Sequence, residues 1–253
     1  CNYSGEDTRM WNNYYKKPNE DYMNSVRTAA APDVLSMVYI DKTMWKYVLL
    51  CMLTTRNMNV AFDRFLKEKL HIASDGINTV EMKLDEAKLR RWRAENQITL
   101  FLNQLRHRLG SNEVLASSNV EDFNPNEDDA RELFNKFIGA SQVIDSLNIY
   151  YNQGIESAFL SEGEKKMMVI LFILEAIADE RTLVLMDEPD SHLHISRKAE
   201  LNEMFHQMEH RSNIITSHSP TLTASFEKSA KESIIMLDRN ADGTIKVIDR
   251  GIV

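Results

Sequence analysis

Thr182-Leu183-Val184-Leu185-Met186 runs directly into Asp187-Glu188-Pro189, and Asp190-Ser191-His192-Leu193-His194 follows. The apolar run is too short for a core helix and is flanked by charge, so it reads as a β-strand. A strand apolar at every position is one buried on both faces, as in a parallel sheet. Pro189 forbids further ladder pairing, so two carboxylates stand at the carboxyl end of the strand. In α/β sheets that end is where ligands bind.

Working outward, Asn213-Ile214-Ile215-Thr216-Ser217 repeats the pattern and ends in His218-Ser219-Pro220. If the two strands are neighbours, His218 lies beside Glu188. Upstream, Phe159-Leu160-Ser161-Glu162-Gly163-Glu164-Lys165-Lys166 precedes Met167 to Ala178, which is apolar almost all round and predicts a buried helix. The helix then presents a polar N-terminus outward. Its free N–H groups and dipole suit an anion, Ser161 adds a hydroxyl and Gly163 permits close approach. Ser161 with Glu164 is equally a capping box, which needs no ligand. Asp187 has the character of a magnesium ligand acting through the ion's water shell. Glu188, on the other side of the strand end, suits the polarisation of an attacking water, and His218 suits a γ-phosphate sensor.

The run FLSEGEKK, then TLVLMDEPDSHLH, then TSHSP resembles the signature loop, Walker B strand, D-loop and switch histidine of ABC-type ATPases. It is most similar to the soluble branch of OLD-family and PARIS-type anti-phage defence ATPases and Septu-like ATPases, and more remotely to RecF and SMC proteins. His192 and His194 in the DEPxxHLH form favour the defence branch over transporters, and the similarity covers about 155–240. Tyr3-Ser4-Gly5-Glu6 with Arg9-Met10-Trp11 also resembles a PARIS-type segment.

The resemblance implies an α/β fold, an ABC-type ATPase lobe with a mostly parallel sheet flanked by helices. It implies ATP and Mg2+ as cofactors, with Glu188 and His218 catalytic and Asp187 at the metal. Ser161, Gly163 and Glu164 would meet a nucleotide held by a second subunit, and Asp190 and Ser191 would communicate across the interface. A homodimer or higher homo-oligomer is thus part of the implied chemistry. The resemblance also implies a separate, nuclease-type effector protein, since no Toprim carboxylate cluster or His-Asn-His motif stands in the chain. His192 and His194 with His206 and His210 have spacing compatible with a metal, but the family uses the HLH segment structurally.

One departure is severe: none of the eight glycines forms a G-x-x-x-x-G-K-[ST] phosphate loop. The sequence also begins with Cys1 rather than Met, so the expectation is that the P-loop precedes Cys1 or comes from another polypeptide.

The rest of the chain divides into three regions. Residues 1–40 are polar and aromatic, reading as a strand end, a turn and a short helix that lead into a loop. Residues 41–130 read as a helix-rich insertion, with helical spacing at 44–49, 60–70 and 84–109, a strand at 77–84, and an exposed acidic loop at 111–130. Residues 131–253 read as the C-terminal ATPase lobe. In it a short helix at 131–138 is interrupted by Gly139, a buried stretch spans 143–151, and a hairpin turns at Asn240-Ala241-Asp242-Gly243.

At 253 residues, with 43% apolar and 27% charged, the composition is that of an ordinary globular protein. Two distant cysteines suggest a reducing compartment, and the apolar run at 167–177 is too short for a bilayer, so a cytoplasmic protein without membrane contact is expected. The net charge of −8 argues against a uniformly basic, nucleic-acid-coating surface. Yet 41–110 holds 13 Lys and Arg against 8 acids. That stretch reads either as solvated helical faces or as a groove for nucleic acid or an acidic partner. The latter keeps a DNA-maintenance ATPase of the RecF or SMC kind as the alternative function.

Overall fold

The computed structural model describes residues 2–4, 40, 42–74, 76–91, 97–110, 113–180, 182–191, 193–206, 212–219, 235–240, 242 and 244–249. In chain order these form β1 (Asn2–Ser4), α1 (Trp45–Thr55), α2 (Val60–Glu68), β2 (Thr79–Leu84), α3 (Glu86–Arg91), α4 (Gln97–Leu109) and β3 (Val114–Ser117). There follow α5 (Ala130–Ala140), β4 (Ile144–Tyr151), β5 (Ile155–Glu156), α6 (Glu162–Phe172), β6 (Leu183–Asp187), α7 (Ile195–His206), β7 (Ser212–Thr216), β8 (Ile235–Arg239) and β9 (Ile245–Asp249).

The strands sort into three sheets. β6 is central between β1 and β7, and all three are parallel. β3, β2, β4 and β5 form an antiparallel sheet, and β8 with β9 is a hairpin. The expected mostly parallel sheet is therefore one of three, and the largest among the described strands is antiparallel. The difference follows from β2, β3 and β4, whose pairing partners lie tens of residues away and leave no local trace.

α1 is buried on every side from Val48 to Thr55 and packs against α5, α6 and β4. Val48 through Leu53 are all buried, and Lys46 on the rim donates to the Leu147 carbonyl at 2.7 Å. Aromatic rings knit the neighbouring helices together. Phe62 of α2 stacks on Phe172 of α6 at 5.7 Å, Phe134 of α5 meets Phe172 at 5.1 Å, and Phe101 of α4 meets Phe137 edge-on at 5.3 Å. One hydrophobic cluster runs from Ile40 to Phe205. The division drawn at 130/131 from composition runs through this core and through the β2–β4 pairing.

Local chemistry sets the boundaries. Asn59 caps α2 by accepting from the Ala61 and Phe62 N–H groups, and Asp129 caps α5 through Glu132 N–H at 2.8 Å. α5 does not stop at Gly139. A Cβ there would stand 2.5 Å from Ile98 Cδ1, so the glycine lets α4 and α5 approach rather than ending the helix. The loop expected at 111–130 instead holds β3 and a 3-10 turn at Val120–Phe123, with Leu115 and Phe123 fully buried. Its polar residues serve backbone groups: Asn124 exchanges two hydrogen bonds with the backbone of Asp128. The apolar run at 167–178 leaves the α-helix after Phe172 for a π-turn at Ile173–Ile177, closed by Ala178 N–H on the Ile173 carbonyl at 2.8 Å.

β6 is buried on one face only. Val184 and Met186 point into the core, while Leu183 is 48% and Leu185 37% exposed. The expectation of full burial is thus met on one face of β6 and is not met in β7, where no residue is buried and Ile214 is 56% exposed. Residues 5–39, the greater part of the first region, lie outside the description, as do His192, His210 and Arg93. Among the described residues no helix is long and apolar enough to cross a membrane.

Candidate functional site

The parallel sheet brings the chemistry to one edge. Parallel pairing aligns Asp187, the last residue of β6, with Ser4 on one side and Thr216 on the other. The Thr216 hydroxyl donates to Asp187 Oδ1. One residue on, Glu188 leaves the strand with φ of 45°, a left-handed conformation that L-residues adopt only when their surroundings enforce it. Its N–H donates to the Thr216 carbonyl at 3.0 Å, and its carbonyl accepts from Ser191 N–H at 3.1 Å. The turn directs the Glu188 carboxylate to His218, whose Nε2 stands 2.9 Å from Glu188 Oε1. Glu188 is 25% exposed at the side chain, whereas the His218 ring is 95% exposed.

Both loops are fastened from beneath. Asp190 is buried at 3% exposure, accepts from the Ser217 hydroxyl at 2.7 Å and pairs with Lys198 of α7 at 3.0 Å. Lys198 also donates to Ser219 Oγ at 3.1 Å, and Ser219 N–H donates to Ser217 Oγ at 2.9 Å. The residues on each side of His218 are thereby tied to the turn that follows β6. Burial opposes ionisation of Asp190, yet the hydrogen bonds from Ser217, Lys198 and Ser219 and the Lys198 charge outweigh it and hold the carboxyl below its ordinary range. Ser191 Oγ accepts from Lys166 at 2.6 Å. Asp190 and Ser191, expected at an interface with a second subunit, thus have side chains engaged within one chain.

Ser161 is exposed at the start of α6 and makes both halves of a capping box. Its hydroxyl accepts from Glu164 N–H at 3.3 Å, and Glu164 Oε2 takes Ser161 N–H at 2.8 Å and Ser161 O–H at 2.7 Å. The helix start is stabilised by its own chemistry. An incoming anion there must displace Glu164 from the Ser161 hydroxyl. Gly163 lies just inside the helix, with Leu193 Cδ2 at 3.4 Å from where a Cβ would stand, an ordinary contact. The spacing of α6 from the loop after β6 therefore does not by itself demand glycine.

Among the described residues, the ligand groups found at Asp187 are its own half-buried carboxylate and the Thr216 hydroxyl. This sparse set fits a magnesium ion that keeps most of its waters, since that ion takes one or two carboxylates with substrate phosphates completing the shell. It does not fit an all-protein cage, and among the described residues no group of three or more His, Cys, Asp or Glu is disposed to hold a metal. His194 Nδ1 is 3.0 Å from Ser196 Oγ, so it takes a structural place at the start of α7.

The basic stretch is largely self-satisfied. Lys67 pairs with Asp63, Lys69 with Glu200, Lys83 with Asp145, Lys88 with Asp85, Arg106 with Glu86 and Arg108 with Asp122. Arg56 is buried, clasping Asp63 at 2.9 Å and the Ala73 carbonyl at 3.1 Å. A 450 Å³ depression lined by Asn103, Gln104, His107, Arg108 and Pro125 lies on α4 and the loop after β3, away from the carboxylates.

The residues at this edge that sequence reasoning passed over are Lys166, Lys198 and Thr216. Helical spacing offers a signal for the first, since 163, 166, 170 and 173 share a face and that face is apolar from 170 onward.

The central parallel strand β6 thus runs into two adjacent carboxylates, and His218 stands two residues beyond the end of its neighbour β7, against the second of them. Residues 84–224, more than half of the chain, match the AAA domain described for AbiEii toxin-like proteins of type IV toxin–antitoxin systems, and the chain belongs to that family. The matched segment runs from the end of β2 past His218 and so includes α6, β6 and β7. No curated protein matches the sequence.

Proposed function

We propose that the chain is the hydrolytic lobe of an ATP-binding and ATP-hydrolysing subunit in a bacterial anti-phage defence system of the OLD-family or PARIS type. The observation that carries the reading is the 2.9 Å contact of Glu188 with His218 at the carboxyl ends of two adjacent parallel strands. Glu188 is the group that would take the proton of the attacking water, and His218 holds that carboxylate on its outer side. Asp187 with Thr216 would hold the Mg2+ water shell, which supplies charge neutralisation at the phosphates. The exposed α6 terminus at Ser161 and Gly163 would meet a nucleotide bound by a second copy, so that ATP drives dimerisation. That association would then hold or release a separate effector in response to a trigger. Family membership among toxin-like AAA domains supports the defence setting. Because most of the cations at 41–110 already serve carboxylates of the same chain, this reading stands ahead of a nucleic-acid clamp.

Glu188→Gln tests it. In a protein carrying its phosphate loop, turnover should fall about 10²–10⁴-fold, the usual contribution of a general base, while ATP-dependent association persists. Unchanged turnover removes Glu188 from this role.

A further inference from the structure

Lys166 lies on the first turns of α6, the helix whose exposed end carries Ser161, yet its side chain points inward and is only 7% exposed. The ammonium reaches the turn after β6, donating to the Glu188 carbonyl at 2.9 Å, the Ser191 carbonyl at 2.9 Å and Ser191 Oγ at 2.6 Å. An ammonium offers three donors, and these three acceptors belong to the turn that holds Glu188. Glu188 sits there in a left-handed conformation, φ 45°, with the Thr216 carbonyl on its N–H and Lys166 and Ser191 N–H on its carbonyl. A strained residue persists only where neighbours over-determine it. Among those neighbours, Lys166 is the one that belongs to α6.

We infer that Lys166 is a positioning residue for the proposed hydrolysis: it fixes the Glu188 peptide in its left-handed turn, keeps the carboxylate against His218, and mechanically joins that turn to the helix bearing Ser161. The inference rests on the ATPase reading of the site. It extends that reading, because a change at the exposed end of α6 reaches Glu188 through one side chain rather than through the sheet. Proximity and orientation effects set the scale, since misplacement of a catalytic group by about 1 Å lowers turnover about 100-fold.

The test compares wild type, Lys166→Met, Lys166→Arg and Glu188→Gln in the protein together with the segment or partner that carries its phosphate loop. Steady-state ATP turnover, thermal melting and the crystal structure around Glu188 are measured for each. Lys166→Met should lower kcat by about 100-fold with KM for ATP within about twofold, because the nucleotide contacts are not touched. Lys166→Arg, which keeps donors in reach of the same carbonyls, should recover most of the loss, and only the Met variant should show Glu188 turned away from His218. Wild-type kcat in Lys166→Met, with Glu188→Gln inactive, overturns the role of Lys166 and leaves the ATPase reading in place. Wild type turning over no faster than Glu188→Gln overturns both. If Lys166→Met does not fold, Lys166→Arg decides: a folded Arg variant that holds Glu188 against His218 and turns over at close to the wild-type rate bears positioning out, whereas wild-type kcat in an Arg variant whose Glu188 has turned away from His218 refutes it.

Discussion

Replacing Asp190 with Asn probes the fastening beneath the site, because it removes one charge while keeping the shape. In the wild type the Asp190 carboxylate is nearly fully buried, receives Ser217 Oγ at 2.7 Å and pairs with Lys198 Nζ at 3.0 Å. Hydrogen bonds to charged groups contribute about 1.5–3 kcal/mol, and removing one partner of a buried pair costs about 3–5 kcal/mol. Two features lower the expectation within that range. Asn retains a carbonyl oxygen for Ser217, and the Lys198 side chain is 22% exposed, so its ammonium can turn to water. A destabilisation of about 2 kcal/mol follows, and with a urea slope of about 2–3 kcal/mol per molar the midpoint should fall by about 0.7–1 M. The slope itself should not change.

The pH dependence carries a definite sign. The folded-state pKa of Asp190 is lowered relative to the unfolded chain, whose Asp value is about 3.9. The stabilisation is therefore complete above that value and is lost as pH falls through the lower, folded-state pKa. The wild-type advantage over Asp190→Asn should be flat from neutral pH down to about pH 5 and shrink below about pH 4. Urea unfolding followed by circular dichroism at several pH values measures both quantities. A difference under about 0.5 kcal/mol at pH 7 would refute the argument, since that is the range of substitutions at sites without such features. An advantage that grows as the solution is acidified would refute it as well.

Gly139→Ala should destabilise despite the better helix propensity of alanine, which is worth about 0.5–1 kcal/mol. The new Cβ would stand 2.5 Å from Ile98 Cδ1 and 2.9 Å from Cγ1, and overpacking costs about 1–3 kcal/mol. Ile98→Val removes the closer atom, so in a double-mutant cycle the pair should be more stable than the sum of the single changes; strict additivity refutes the contact. The nucleic-acid alternative is tested by Arg90, Arg91 and Arg93 changed to Glu. If 41–110 clamps DNA, affinity should fall, and the dependence of binding on salt should weaken by about one unit of slope for each phosphate no longer neutralised. Binding indifferent to these changes removes the groove.

Sequence made the site legible where function compresses into short segments. β6 and β7 are each five residues long, with Leu183–Met186 apolar in one and Ile214–Ile215 in the other, and each is followed at once by its polar groups, so strand, terminus and chemistry are read together. The helix at 162–172 and its cap were equally legible, because Ser161 and Glu164 satisfy each other's backbone groups within one turn. Harder to see was whatever depends on partners distant in sequence. β3 is four residues in a polar setting, and only its pairing with β2, from Val80 opposite Ser117 to Lys83 opposite Val114, makes it a strand. Gly139 resembles a helix breaker until Ile98, some forty residues earlier, is placed against it.

The same distinction separates the groups expected to react from those that hold them. Asp187, Glu188 and His218 are announced by strand ends, whereas Lys166 and Lys198 are ordinary helical lysines in the sequence. They gain meaning only when α6 and α7 lie against the turn at 188–191. Asp190 is the instructive case. Its position beside the carboxylate pair suggests a contact with a second subunit, but burial to 3% and bonds to Lys198 and Ser217 give it work within one chain. For a carboxylate so buried and so engaged, contact with a second copy would require the Ser217 and Lys198 bonds to open first. The placement of Asp190 thus ties the residues on both sides of His218 to the turn after β6, a coupling that the linear motif does not contain.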